Sequence, residues 1–183
     1  MLIYRGTPAQ TLSPVALTIG NFDGVHIGHR AMLARLTQAA RERGLSPCVM
    51  TFEPHPREFF TPEQAPARLS NLREKLELFE RFGVERVFIL RFNKRFAQVS
   101  AEDFISRILH QGLQARWVLV GDDFRFGAKR AGDFTMLQQA GKQYGFEVEA
   151  MDSVTVASQR ASSTVVREAL ANGDLDFAEC YLG

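Results

Sequence analysis

Short apolar runs, rich in valine, isoleucine and leucine, alternate with longer amphipathic stretches along this chain of 183 residues. Strands are predicted at 15–19, 47–52, 86–90, 117–120 and 146–150. Helices are predicted at 28–43, 71–82, 100–112, 133–144 and 162–171, with a short one towards Tyr181, and residues 53–68 are expected to form a loop. Such alternation favours right-handed crossovers between parallel strands. The sequence therefore predicts an α/β fold, a doubly wound parallel sheet in a three-layer α/β/α arrangement.

The segment after the first predicted strand carries the strongest candidate site. Parallel sheets bind ligands at the carboxyl ends of their strands, and here Gly20 and Gly28 flank a turn that leads into a long helix. A helix N-terminus offers free N–H groups and a partial positive charge. His26 and His29 are spaced i, i+3 and can point the same way. Two imidazoles beside backbone amides suit the oxygens of a polyphosphate.

The same histidine spacing has two other interpretations. Histidines at a helix start can be structural side chains with hydrogen-bond partners in the core. A zinc site is disfavoured because the H-E-x-x-H arrangement is absent and no third ligand is evident. The chain also contains neither G-x-G-x-x-G nor G-x-x-x-x-G-K-[ST], which argues against a dinucleotide-binding Rossmann site and against a P-loop NTPase.

A longer stretch around these histidines carries a family resemblance. Residues 26–29, with the sequence HIGH, resemble the H-x-G-H signature of the nucleotidyltransferase superfamily, which class I aminoacyl-tRNA synthetases share. Residues 20–29, GNFDGVHIGH, resemble more specifically the adenylyltransferase module of the bacterial bifunctional riboflavin kinase/FMN adenylyltransferases, or FAD synthetases. The resemblance implies a Rossmann-like sheet and catalytic roles for His26 and His29. It also implies ATP contacts from Gly20, Asn21, Phe22, Asp23 and Gly28.

A proline-rich segment, TFEPHP at 51–56, follows the second predicted strand. Its prolines stiffen the loop, and Phe52 supplies a flat apolar surface. Taken alone, this pattern is more typical of an ordinary rigid loop over a core. The resemblance places it on the flavin side of the site, with FMN contacts from Phe52, Pro54, His55 and Pro56. His55 could instead tie the loop by a hydrogen bond.

Residues 121–127, GDDFRFG, follow the fourth predicted strand. If the sheet winds both ways from its first strand, the ends of the first and fourth strands flank one crevice, and the two segments face each other. Phenylalanines beside arginine suit a planar ring that carries a phosphate. A solvated basic turn is the other interpretation. The resemblance implies FMN contacts from Asp123, Phe124, Arg125 and Phe126.

The late helix opens with the sequence SSTVVR at 162–167. Hydroxyl side chains at a helix start are usually caps. The resemblance assigns them instead to the ATP phosphates, opposite the histidines, with Arg167 as a catalytic residue and Ser162, Ser163 and Thr164 as binding residues. Ala161 departs from the family pattern, which often has a β-branched apolar residue there.

The reaction implied by the resemblance is ATP plus FMN giving FAD plus pyrophosphate, with Mg²⁺ on the ATP phosphates and no metal ligand assigned to the chain. Two other functions stay open: a different small-molecule nucleotidyltransferase, such as one that uses CTP, and a catalytically silent module that binds flavin or nucleotide. A tRNA-charging enzyme is disfavoured by the chain's size and by the lack of a K-M-S-K-S-like motif.

The resemblance covers essentially the whole chain, with four motifs in the family's order. The family's second module, a small β-barrel riboflavin kinase, would begin after Gly183. One adenylyltransferase domain over 1–183 is therefore predicted, without the C-terminal riboflavin kinase domain of the family and without phosphorylation of riboflavin. Leu175, Phe177 and Tyr181 are expected to be partly exposed, where that domain could dock.

Composition disfavours several other classes of protein. Lysine plus arginine number 22 against 21 aspartate plus glutamate, a net charge of +1, so nothing draws the chain to nucleic acid or to an anionic membrane. Cys48 and Cys180 are too few for a disulfide scaffold. No apolar run approaches the roughly 18 residues of a membrane span, and residues 1–13 lack a signal-peptide pattern. A soluble, cytoplasmic protein is expected, with ATP and FMN as its small-molecule partners.

Overall fold

The computed structural model of the protein describes residues 1–9, 13–156 and 159–183. Its centre is a parallel sheet of six strands: β1 (Leu2–Arg5), β2 (Val15–Ile19), β3 (Ser46–Glu53), β4 (Arg86–Arg91), β5 (Ala115–Gly121) and β6 (Glu147–Met151). The strand order is β1-β4-β3-β2-β5-β6, with every neighbouring pair parallel. The chain winds outwards in both directions from β2, which confirms the predicted doubly wound sheet.

Helices cover both faces of this sheet. They are α1 (Ile27–Arg43), α2 (Pro56–Phe60), α3 (Leu72–Arg81), α4 (Lys94–Ala97), α5 (Ala101–Asp103), α6 (Phe134–Tyr144), α7 (Ser163–Ala171) and α8 (Leu175–Leu182). After α5 the helix continues with wider, π-type hydrogen bonding over Phe104–Gly112. Two short strands, β7 (Thr155–Val156) and β8 (Gln159–Arg160), pair antiparallel between β6 and α7. No helix in the described part of the chain is long and apolar enough to cross a membrane.

The central strand β2 shows which helices pack against each face of the sheet. All five residues of β2 are buried, as expected for a strand covered on both sides. Its odd-numbered residues lie in the core with α6 and the π-type helix, and Ala16 lies in the core with α1 and α3. Thr18 Oγ1 donates a hydrogen bond to the Leu119 carbonyl oxygen (3.0 Å), so the hydroxyl donor inside the sheet is paired. The three-layer arrangement is confirmed.

Several short elements are absent from the sequence prediction: β1, α2, α4 and the β7–β8 pair. All four residues of β1 are exposed, so this edge strand shows no alternation of buried and exposed positions. The segment expected to be a loop at 53–68 contains α2, because Pro56 starts the helix and His55 and Glu58 form a capping box. Elements of this length carry too few residues for a periodic signal.

The C-terminal helix differs from its expected exposure at one residue. Leu175 is 66% exposed and Phe177 is partly buried, as expected. Tyr181 is fully buried, so its expected exposure is wrong. Its hydroxyl donates to the Val156 carbonyl oxygen (3.1 Å), and its ring lies in a small core with Val166. Tyr181 is buried because α8 packs on α7 and β7 through this side chain.

Candidate active site

Three predicted site segments begin at the carboxyl edge of the sheet. β2 ends at Ile19 and is followed by a turn, residues 20–26, that leads into α1. β3 and β5 lie on either side of β2, and the two predicted flavin segments begin where these strands end. The pairing of β2 with β5 confirms that their ends lie side by side. The site therefore lies where the winding direction of the sheet reverses, as such folds favour.

Phe22 holds the turn after β2 by burying its side chain. Its backbone is left-handed (φ 51°). Its ring packs edge-on against Phe79 of α3, with centroids 5.2 Å apart. It also contacts the His29 ring, with centroids 5.0 Å apart and the planes tilted by 52°. Gly20 suits the neighbouring position because a Cβ atom there would lie 3.0 Å from the Phe22 ring. Because the ring is fully buried, the ATP contact predicted for Phe22 would have to come from its backbone.

The two histidines form a stacked pair at the start of α1. Their ring centroids are 3.7 Å apart and the ring planes differ by 24°, so the prediction that they point the same way is confirmed. Gly28 leaves room for the pair, since a Cβ atom there would lie 3.1 Å from Cε1 of His26. Nδ1 of each histidine is buried with no hydrogen-bond partner among residues 1–9, 13–156 and 159–183. Buried polar atoms are normally paired, so a ligand could engage these two.

Both imidazoles are held in the neutral form. Burial lowers the pKa of His26 from 6.5 to about 4; the positive charge of Arg160 acts in the same direction and the Asp23 carboxylate opposes it. Burial also lowers the pKa of His29 well below its usual value, and the neighbouring His26 and Lys75 add to this effect. A neutral imidazole carries one N–H donor and one acceptor nitrogen. The pair can therefore donate hydrogen bonds to phosphate oxygens at pH 7.

Asp23 is buried in the same turn, and internal contacts use its carboxylate. Oδ1 accepts hydrogen bonds from the backbone N–H groups of Leu69 (3.0 Å) and Ser70 (3.1 Å), and Oδ2 pairs with the guanidinium group of Arg167. These contacts tie the turn to the loop before α3 and to α7. No group of three or more His, Cys, Asp or Glu side chains in the described ranges is placed to hold a metal ion.

The start of α7 reaches this turn from the far end of the sequence. Ser162 caps the helix by accepting a hydrogen bond from the Val165 backbone N–H (3.3 Å), which is the alternative role considered for these hydroxyls. Ser163 Oγ donates to the carbonyl oxygen of Asp23 (2.9 Å), whereas Thr164 is exposed. The fold thus brings the hydroxyl-rich helix start to within hydrogen-bond distance of the turn after β2.

Arg167 lies one turn further along α7 and makes two contacts. Nε donates to the Ala67 carbonyl oxygen (2.6 Å), and Nη2 pairs with the Asp23 carboxylate. Its side chain is 19% exposed. The guanidinium group therefore lies at the turn that precedes the histidines. Its contact with the ATP phosphates stays a prediction.

A chain of phenylalanine rings joins the two predicted flavin segments. Phe52, at the end of β3, contacts Phe96 with centroids 5.8 Å apart, and Phe96 contacts Phe104 at 6.5 Å. Phe104 contacts Phe126 at 5.4 Å. Phe126 stacks on Phe124 at 5.4 Å, with the planes 21° apart. Two segments that are far apart in the sequence thus contribute to one cluster of aromatic rings, in which Phe104 and Phe126 are buried and Phe52 and Phe124 are partly exposed.

Two residues of the loop after β5, Phe124 and Arg125, are accessible to a ligand. Phe124 is partly exposed, whereas Phe126 is buried. The Arg125 side chain is 47% exposed, and its Nη1 lies 3.2 Å from Oδ2 of Asp133, the N-cap residue of α6. A planar ligand can therefore reach Phe124 and Arg125, while Phe126 supports them from the core.

His55 ties the loop after β3 by a hydrogen bond, which is one of the two roles expected for it from the sequence. Its Nδ1 accepts from the Arg57 backbone N–H (3.1 Å), and its own backbone N–H donates to Glu58 Oε2 (3.1 Å). Burial lowers the pKa of the His55 imidazole. Pro54 follows a cis peptide bond, and Pro56 occupies the first position of α2. The FMN contacts of these three residues stay a prediction.

Arg68 ties this loop together, although the sequence pattern does not single it out. Its Nη2 lies 2.5 Å from Glu53 Oε1, and its Nε lies 2.5 Å from Glu58 Oε1. The hydrogen bond from Arg68 lowers the pKa of Glu58. The two partners stand 10 and 15 residues away in a segment without periodicity, so no sequence signal pointed to these pairs.

Arg160 is a second arginine that the sequence pattern does not single out. It pairs with Asp122 (3.2 Å) and Asp123 (3.1 Å) in the loop after β5, and Ser153 Oγ donates to Asp122 (2.9 Å). Its charge also acts on His26. Arg160 thus ties β8 to the loop after β5. It belongs to a strand of two residues, too short to be recognised from the sequence.

Lys75 is a buried lysine beside the same turn. It is 5% exposed, and its Nζ donates to the Asn21 carbonyl oxygen (3.4 Å). The side-chain oxygen of Asn21 is itself buried without a partner in the part of the chain that the structure describes. Here the sequence did hold a signal, because Lys75 stands on the same helical stripe as Leu72 and Phe79.

These features define a class of protein. The sheet reverses its winding at β2, and two neutral histidines stand at the helix start that follows. A second helix start with hydroxyl side chains contacts the same turn. Together they are typical of a nucleotide-binding α/β protein of the H-x-G-H type. The family model described as FAD synthetase matches residues 9–165, and the chain belongs to the FAD synthetase family.

Individual proteins show the extent of the similarity. The bifunctional riboflavin kinase/FMN adenylyltransferase of Escherichia coli K12 is 51% identical over 186 residues, which cover 100% of this chain and 59% of that protein. The protein of the same name from Pseudomonas fluorescens is 54% identical over 166 residues, covering 91% of this chain and 53% of its own length. This chain thus spans a little over half the length of these relatives. Among solved structures, a macrolide-efflux protein from Streptococcus pneumoniae has a TM-score of 0.84 and 26% identity, covering 100% of this chain and 62% of that one.

Proposed function

We propose that this chain is an FMN adenylyltransferase, which joins ATP and FMN to give FAD and pyrophosphate. Membership of the FAD synthetase family and the names of the relatives support this function. The observation that carries it is that three parts lie along one edge of the sheet: the stacked histidines, the start of α7 and the cluster of aromatic rings. A reaction between a polyphosphate and a flavin needs these parts as neighbours.

The chemistry requires positioning rather than a general base. The FMN phosphate is largely ionised at neutral pH, since the second pKa of such groups is about 6. One of its oxygens attacks the α-phosphorus of ATP and forms a P–O bond there. The bond from the α-phosphorus to the bridging oxygen breaks, and pyrophosphate leaves with the electron pair. The lowered pKa values of His26 and His29 suit donors that stay neutral, and holding the reactants in line supplies much of the rate.

On the ATP side, the histidines and the first N–H groups of α1 bind phosphate oxygens as negative charge develops. Arg167 binds the departing pyrophosphate from α7. Its guanidinium group has five N–H donors, so it can bind a phosphate while it remains paired with Asp23. The proposed ATP-binding residues are Gly20, Asn21, Phe22, Asp23, Gly28, Ser162, Ser163 and Thr164.

On the flavin side, Phe124 offers the ring surface that the isoalloxazine stacks on. Arg125 lies beside it and is placed to pair with the FMN phosphate. His55 and Phe126 act by holding their loops, because the first caps α2 and the second is buried. The proposed flavin-side residues are thus Phe52, Pro54, Pro56, Asp123, Phe124 and Arg125 at the FMN, with His55 and Phe126 supporting their loops.

Mg²⁺ enters as part of the substrate, bound to the ATP phosphates and to water. The described residues contain no cluster of His, Cys, Asp or Glu that would hold the ion by itself, and the Asp23 carboxylate is already paired. The riboflavin kinase activity in the relatives' names is not proposed for this chain, and a C-terminal riboflavin kinase domain is the expected partner. A cytoplasmic location stays a prediction.

The test is to incubate the purified chain with ATP, Mg²⁺ and FMN, with riboflavin replacing FMN in a parallel tube, and to separate the flavins by chromatography. FAD from FMN, with no FMN from riboflavin, is the expected result. Tight binding of FMN without FAD or pyrophosphate would favour the catalytically silent module. A third tube with CTP tests the other open function, since a product with CTP but none with ATP would indicate a different nucleotidyltransferase.

A further inference from the structure

Lys75 is a buried charge that the proposed mechanism does not use. Its ammonium group contacts the Asn21 carbonyl oxygen (3.4 Å), and Thr51 Oγ1 donates to the same oxygen (3.4 Å) from β3. The peptide after Asn21 is therefore held from α3 on one side and from the sheet on the other. This peptide belongs to the turn of residues 20–26, which joins the end of β2 to α1 and leads directly to the two histidines.

The surroundings of this ammonium group are charged. The carboxylates of Glu53, Asp23 and Glu58 and the guanidinium group of Arg68 all act on it. Burial lowers the pKa of Lys75, and the Glu53 and Asp23 carboxylates oppose that effect. Removing a lysine from water costs free energy unless its charge is compensated, so the nearby carboxylates are what allow Lys75 to remain charged at this position.

The same edge of the sheet holds the unpaired buried atoms. Asn21 Oδ1, Glu53 Oε2 and Nδ1 of both His26 and His29 lack hydrogen-bond partners among the described residues. Buried polar atoms without partners are uncommon in folded proteins. Lys75 thus lies near several buried polar atoms that have no hydrogen-bond partner among the described residues and are available to a ligand.

We propose that Lys75 is a positioning residue for adenylyl transfer. Its ammonium group fixes the peptide after Asn21, and with it the turn that carries the histidines, while its charge balances the carboxylates that lie near that turn. The charge of Lys75 also disfavours protonation of His29, which keeps the imidazole a neutral donor. This inference rests on the proposed function.

The first test compares Lys75→Met, which keeps the length of the side chain and removes its charge, with Lys142→Met at an exposed position on α6. We expect kcat for FAD formation to fall about 10²-fold in Lys75→Met, the scale of a misplaced catalytic group, with small changes in KM for ATP and FMN. Lys142→Met should match the wild-type chain. Unchanged kcat in folded Lys75→Met would overturn the inference.

A second test uses histidine NMR titrations of the ligand-free chain and needs no activity. In Lys75→Met the ring signals of His29 should titrate at a higher pH, as expected when one of the neighbouring positive charges is removed. An unmoved His29 titration would overturn the electrostatic part, and a wild-type chain that makes no FAD would overturn the proposed function instead.

Thr51→Val separates the hydrogen bond from the charge and keeps the inference testable if Lys75→Met does not fold. It removes the other contact to the Asn21 carbonyl oxygen and leaves every charge in place. We expect kcat to fall about fivefold, the equivalent of one ordinary hydrogen bond, while the His29 titration stays unchanged. Full activity of folded Thr51→Val would show that the Asn21 peptide need not be fixed and would overturn the inference.

Discussion

The two sides of the site are built differently. On the histidine side, buried side chains contact each other directly, as in the stacked pair of His26 and His29. On the aromatic side, the partly exposed Phe124 ring lies on a loop that an ion pair between Arg160 and Asp123 holds at the surface, and Arg68 pairs with Glu58 in the loop after β3. One side is fixed by burial and the other by contacts that water can weaken.

This difference matches what each side would bind. Phosphate oxygens in a transition state need donors at fixed points, whereas a flat ring needs a surface and tolerates small movements of it. We therefore expect changes on the histidine side to alter turnover and the pH dependence of stability, and changes on the aromatic side to alter FMN binding. Four predictions test this comparison.

The largest effect is expected for His29→Ala. Loss of one phosphate donor should lower the rate of FAD formation by about 10²–10³-fold while the chain folds normally. Chromatography of the flavin products measures the rate, and circular dichroism checks the fold. His110→Ala, at the far end of the strands, is the control. Near-normal turnover in His29→Ala would remove the histidine side from the chemistry.

The unfolding free energy should fall between pH 7 and pH 5. A histidine whose pKa is lowered on folding from 6.5 to about 4 binds a proton more readily in the unfolded chain, so acid favours unfolding across that interval. For His26 this linkage amounts to about 2 kcal/mol. Urea unfolding of His26→Asn at both pH values should show a drop smaller by that amount. An equal drop in unfolding free energy in both proteins would mean that folding does not lower the pKa of His26.

Phe124→Ala should weaken FMN binding by up to about tenfold, since an aromatic contact contributes roughly 1 kcal/mol beyond its burial. KM for ATP and the free energy of unfolding should change little, because this ring is partly exposed. Phe126→Ala is the matched variant: that ring is buried, and its loss should lower the unfolding free energy by about 3 kcal/mol. FMN fluorescence titration and thermal unfolding distinguish the two, and equal stability losses would contradict the assignment.

The smallest effect is expected for Arg68→Gln. Partly exposed ion pairs contribute about 1 kcal/mol or less, so the loosened loop should raise KM for FMN about threefold and leave kcat unchanged. Arg73→Gln removes a comparable pair with Glu77 on the exposed face of α3 and should have no effect. Steady-state kinetics with varied FMN measure both variants. A large fall in kcat for Arg68→Gln would show that the aromatic side is as rigid as the histidine side.

Much of the fold and the place of the site follow from the sequence alone. The strands at 15–19 and 117–120 are continuous apolar runs because helices cover both sheet faces. Motifs that follow strands must lie together, since parallel strands end at one edge. The spacing of His26 and His29 places their rings on the same side of one helix turn. These are local or periodic properties, which the order of residues records directly.

The tertiary structure decided what each side chain at that edge does. Asp23 meets Leu69 and Arg167, which stand 46 and 144 residues away, and these contacts use the carboxylate that the motif predicts for ATP. Lys75 is on a helix stripe that periodicity does identify, yet its contact with Asn21 depends on how α3 packs beside β2. Periodicity shows which face of an element is buried, but not which distant groups meet there. The burial that keeps the histidines neutral exists only once those elements have packed together.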